Sequence, residues 1–125
     1  LISIPLFTLY SFGEEFGWRG YLLPLWAASL GKWPAYILIG LIWAPWHLPL
    51  IWQNKIAEGS VKPQPKSLAK YLLFVILMSA VLGESYLLSG SIAIPIILHA
   101  LTNAFPCLPN GKNDHAIFRR VLPDL

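Results

Sequence analysis

From Trp33 to Trp52 the chain runs through twenty consecutive residues without a Lys, Arg, Asp or Glu. About 20 apolar residues is the length an α-helix needs to cross the hydrocarbon core of a bilayer. Three more apolar runs accompany it: Leu1 through Gly13-Glu14-Glu15 to about Trp26, Leu68 to about Leu88, and Ser91 to Leu108. All are too long and unbroken for barrel strands, which alternate over roughly 10 residues. Composition agrees, with 56% hydrophobic and 12% charged residues, against about 45–50% and about 25% in soluble domains. Six tryptophans and five tyrosines suit a protein with membrane interfaces. The expected fold is all-α, a multi-pass transmembrane helical bundle of about four segments. Residues 1–108 would form the membrane core and residues 109–125 a basic tail. The opening run, Leu1 to Phe12, is too short to span and lacks a signal peptide's basic start. The expectation is therefore a fragment of a larger bundle.

The basic residues set an orientation. If the last three runs each cross once, Lys55, Lys62, Lys66, Lys70, Lys112, Arg119 and Arg120 share one side, and Lys32 and Arg19 the other. The positive-inside rule then places the 53–67 loop and the tail in the cytoplasm. A single cysteine, Cys107, excludes an intramolecular disulfide and a CxxC-type metal site. The net charge of +3 is not organised into a basic, aromatic-laced surface, so nucleic acid is not an expected partner.

Ionisable groups within apolar segments cost about 2.5–3.5 kcal/mol each on insertion scales, which makes each one a functional candidate. They are Glu14, Glu15, Arg19, His47, Glu84 and His99, with Asn103 as a neutral companion. Glu15 and Arg19 stand at i,i+4 and can neutralise each other on one helix face, in a structural pair or in a site. Glu14 lies about 100° round the helix from Glu15 and is poorly served by the same arginine. It reads either as a proton-transferring carboxylate or as one wetted at an interface. His47 follows Trp43 by one turn in Trp43-Ala44-Pro45-Trp46-His47 and reads as a hydrogen-bonded core residue or a catalyst. Pro45 and Pro49 interrupt backbone bonding around it. His99 and Asn103, again i,i+4, form either a helix–helix hydrogen-bonding pair or part of a site. Glu84, near its segment end beside Ser85 and Ser89, reads as interfacial.

Three segments thus offer carboxylates, two imidazoles and an amide. Gathered in a water-restricted cavity they would supply a general base, an orienting histidine and oxyanion donors for hydrolysing a peptide bond. Two histidines and a carboxylate are equally a zinc-type donor set with an open position, here Glu14, His47 and His99. No HExxH, no GxSxG-type nucleophile and no aspartate within an apolar segment occurs.

Together the motifs resemble those of the CPBP family, the CAAX-protease and bacteriocin-processing (Abi) intramembrane proteases. Glu14-Glu15-Phe16-Gly17-Trp18-Arg19 matches EExxxR, Trp43-Ala44-Pro45-Trp46-His47 looks like FxxxH, and His99-Ala100-Leu101-Thr102-Asn103 looks like HxxxN. The resemblance covers roughly residues 10–106. It implies an intramembrane endopeptidase acting on membrane-associated or lipidated CAAX-type substrates, in a bacterial cell membrane. Carried over, Glu14 with His47 would activate water, Glu15 and Arg19 would shape and charge-balance the site, and His99 with Asn103 would stabilise the oxyanion. The mechanism would be glutamate-based without a catalytic metal, or a zinc metalloprotease. Trp43 departs from the family's usual phenylalanine, and members usually carry more helices than this chain. The rival reading is a non-catalytic immunity or scaffold protein that keeps the fold.

Overall fold

The computed structural model describes residues 3–57 and 65–104. The end of the fourth apolar run and the tail at 109–125 lie outside the described residues. Every described element is helical, as the apolar runs lead one to expect.

The first run forms α1, Ser3–Gly17, and α2, Leu23–Leu30, joined by a π-helical turn over Trp18–Leu22. Gly17 and Leu23 at the two joints keep right-handed helical angles, so the three pieces make one continuous rod. Gly31 ends it at φ 85°, a conformation open to glycine at little steric cost. α3 covers Lys32–Ala57 and α4 Pro65–Ser89. Gly90, at φ 63°, turns the chain into α5, Ala93–Ala104.

The prolines sit inside one helix, as the sequence reading has them, and one boundary changes. α3 runs without a break through Pro45 and Pro49, each of which removes one backbone bond yet is tolerated in apolar helices. The polar loop expected over 53–67 is shorter: residues 53–57 continue α3, and Pro65 opens α4. The apolar run ends at Trp52, but the helix does not. Proline's fixed φ suits it to a helix's first position.

α3 lies along α4, α1 along α5, and α2 and α5 close the bundle against α3 and α4. The α3–α4 contact is close. A Cβ on Gly40 would stand 2.7 Å from the Ile76 Cα, and one on Gly83 would collide with the Tyr36 ring. The core forms two groups, Trp43, Ala44, Tyr71, Val75 and Leu82, and Leu23, Ala35, Tyr36 and Ile39, with Trp18 packed against both. Glu84 accepts hydrogen bonds from Lys32 Nζ (2.8 Å) and Tyr36 Oη (2.7 Å), tying the end of α4 to the start of α3. Leu9, Phe16, Leu77, Leu88 and Leu101 are among many large apolar side chains left exposed, more than a soluble monomer carries. Among the described residues one helix, Leu68–Ser89, is long and apolar enough to cross a membrane; Ala93–Ala104 is apolar but shorter.

Candidate active site

Glu14 and Glu15 are neighbours on α1 with different surroundings. Glu15 is fully buried, and its Oε1 accepts from Arg19 Nη1 and from His99 Nδ1, both at 2.8 Å. Burying a carboxylate is tolerated only when it is paired and hydrogen-bonded, and Glu15 has both kinds of partner. The guanidinium of Arg19, equally buried, also lies 4.5 Å from the centre of the Trp43 ring, a cation–π distance.

Glu14 points to α3 instead. Its Oε2 accepts from Trp43 Nε1 at 2.6 Å and lies 3.7 Å from His47 Nε2. Both side chains keep about a quarter of their surface, 23% and 25%. His47 Nδ1 lies 3.0 Å from the Trp43 carbonyl oxygen. A carbonyl only accepts, so Nδ1 carries a proton, and in the neutral imidazole Nε2 turns its lone pair toward Glu14. A gap of 3.7 Å is too long for a hydrogen bond, and two bases facing across it can share one water.

Trp43 joins the two halves. Its indole packs edge-on against His99 with centroids 5.2 Å apart and lies 5.5 Å from His47. The structure places Trp43, not His47, in ring contact with His99. Asn103 is half-buried one turn beyond His99. Among the described residues its carboxamide bonds to neither glutamate and neither histidine.

The zinc set of Glu14, His47 and His99 does not come together. Among the described residues no group of three His, Cys, Asp or Glu side chains can hold a metal ion. The indole of Trp43 donates to Glu14 and packs against both imidazoles. These residues do not fit a three-ligand zinc centre.

The profile of the Type II CAAX prenyl endopeptidase Rce1-like family matches residues 1–105, which takes in every helix described. The chain belongs to the Rce1-like family. Among curated proteins it is similar to the "CAAX prenyl protease 2" of Methanococcus maripaludis, 32% identical over 92 residues. That alignment covers 72% of this chain and 34% of the relative, so the chain spans about a third of the relative's length. No solved structure matches. The family is membrane-embedded, which accounts for the apolar exterior of this Rce1-like bundle.

Three features of the Rce1-like site were not anticipated from the residues alone. The π turn begins at Trp18, inside the first motif, and π turns recur at functional sites. Trp43 serves as a hydrogen-bond donor to Glu14 rather than as a larger aromatic filler. Ser11 is fully buried one turn before Glu15; its i,i+4,i+8 spacing with Glu15 and Arg19 was the available signal.

Proposed function

We propose that this chain carries the catalytic core of an intramembrane endopeptidase that hydrolyses a peptide bond in a prenylated, CAAX-type membrane protein. The observation that carries this reading is the facing of Glu14 Oε2 and His47 Nε2 across 3.7 Å, on the partly exposed side of an otherwise sealed polar cluster. A water held there loses a proton to the pair as its oxygen attacks the scissile carbonyl. The proton returns to the amine as the C–N bond breaks. His99, donating Nδ1–H to Glu15, presents its Nε2 edge to the carbonyl oxygen. With both nitrogens protonated it donates there, and the Asn103 carboxamide adds a second donor. Glu15 and Arg19 fix the ring of His99 and cancel each other's charge. Prenylated substrate is the class suggested by the family and by the relative's name.

In the same reading the helices form a multi-pass core at 1–108, with the α3–α4 connection and the 109–125 tail in the cytoplasm, as the basic residues favour. The test is cleavage of a farnesylated CAAX peptide by the protein in vesicles. Glu14→Gln, still folded and inserted, is expected to lose cleavage by at least about 10²-fold. Full activity in that variant would overturn the assignment of Glu14.

A further inference from the structure

Ser11 is a buried hydroxyl without a hydrogen-bond partner, which is unusual inside a helix. Serine in an apolar helix ordinarily bonds back to the carbonyl one turn earlier, and that bond is absent here. α5 is the helix packed along α1; one bond sets their register, and a contact just past the end of α1 and just before the start of α5 gives their direction. Gly20 lies beside Ile92, with 3.1 Å from its Cβ position to the Ile92 side chain, and Glu15 is bonded to His99. The numbers rise along one helix as they fall along the other, so the helices are antiparallel. One turn beyond the Glu15–His99 pair, about 6 Å along both axes, Ser11 stands level with Asn103.

We infer that Ser11, unpaired in the free site, is a positioning residue for Asn103 when substrate is bound, its hydroxyl then donating to Oδ1 and thereby turning the Nδ2 end toward the reacting carbonyl. The inference rests on the oxyanion role proposed above for Asn103. The chemistry has one sense. A hydroxyl given to Oδ1 occupies the acceptor end of the carboxamide and leaves the donor end, the useful end at an oxyanion, free. Ser11, Glu15 and Arg19 then form one buried column on α1 that sets the orientation of the His99–Asn103 column on α5, rung by rung.

The test is steady-state cleavage of a farnesylated CAAX peptide by the protein in vesicles. Wild type, Ser11→Ala, Ser11→Thr, Asn103→Ala and the Ser11→Ala/Asn103→Ala double variant are compared, each with its thermal midpoint. Asn103→Ala is expected to lower kcat about 10²-fold, as loss of an oxyanion donor does. Ser11→Ala is expected to lower kcat on the order of tenfold at unchanged KM, a part of that donor's effect. Ser11→Thr, which keeps the hydroxyl, should restore most of it, and the double variant should be no slower than Asn103→Ala alone. Ser11→Cys, with a weak donor of similar size, serves if the alanine variant does not fold, and should fall below Ser11→Thr; a wild-type kcat in it would overturn the role of Ser11. Loss in Asn103→Ala with wild-type kcat in Ser11→Ala, or multiplicative losses in the double variant, would overturn the role of Ser11 and leave the proposed reaction standing. An unchanged Asn103→Ala would overturn the oxyanion assignment itself and Ser11 with it.

Discussion

Trp43 Nε1 donates to Glu14 Oε2 at 2.6 Å, and the same residue's carbonyl oxygen accepts from His47. One residue therefore orients both members of the pair that faces across the 3.7 Å gap. Its side chain holds the carboxylate and its main chain selects the tautomer that leaves the His47 Nε2 lone pair facing Glu14. The phenylalanine usual at this motif position would supply the second effect but not the first.

Replacing Trp43 by phenylalanine therefore separates the two. A hydrogen bond to a charged group contributes about 1.5–3 kcal/mol, so Trp43→Phe is expected to cost about 2 kcal/mol of stability. The smaller ring still offers a face to Arg19 and an edge to His99, so the fold should survive. Cleavage should fall but persist, since His47 keeps its bond to the main chain. Denaturation in detergent, run beside the peptide assay, reads both. Trp43→Leu, which also removes the cation–π contact, should be the less stable of the two.

The sealed half of the cluster behaves differently. Glu15 and Arg19 both have fully buried side chains and are bonded at 2.8 Å. Removing one partner of a buried ion pair leaves the other uncompensated, at about 3–5 kcal/mol. Arg19→Leu is expected to lose that much stability and, with it, most folded protein. Adding Glu15→Gln should recover stability while leaving the double variant impaired in cleavage. A double variant no more stable than Arg19→Leu, in the same unfolding titration, would show that the arginine acts through packing rather than through charge.

How much of this was legible in the residues depends on the range of each interaction. The Glu15–Arg19 pair lies within one helical turn, and spacing alone foretold it. The same spacing showed that Glu14 lacked a nearby cation. Its actual partner, the indole of Trp43, is 29 positions away, beyond the reach of any local pattern. Glu84 likewise read as interfacial, while its bonds to Lys32 and Tyr36 span 52 and 48 positions. The prolines of α3 misled only if helices were expected to end at them, because neighbouring helices, not local propensity, hold this backbone. The exposed apolar surface, by contrast, follows directly from the uncharged runs.

The donor arrangement also bears on metals. Among the described residues no three His, Cys, Asp or Glu side chains are grouped to hold a metal ion. Cleavage by vesicle-reconstituted protein is expected to be unchanged after incubation with a strong zinc chelator. Inhibition that added zinc reverses would overturn this reading of the side chains.

Far from the cluster, Gly83 tests whether helix spacing controls the site. A Cβ there meets the Tyr36 ring, whose hydroxyl bonds to Glu84, and Tyr36 belongs to the buried group at the start of α3. Overpacking of this kind costs about 1–3 kcal/mol, and Gly83→Ala is expected to lose stability in that range. Because α3 also carries Trp43 and His47, pushing it away from α4 moves both relative to Glu14, and cleavage per folded molecule should fall as well. Tyr36→Ala in the same background makes room for the added methyl group. If the strain is steric, the double variant should regain cleavage relative to Gly83→Ala although it lacks the bond to Glu84. If it does not, the defect lies in the lost clamp between α3 and α4 rather than in their spacing.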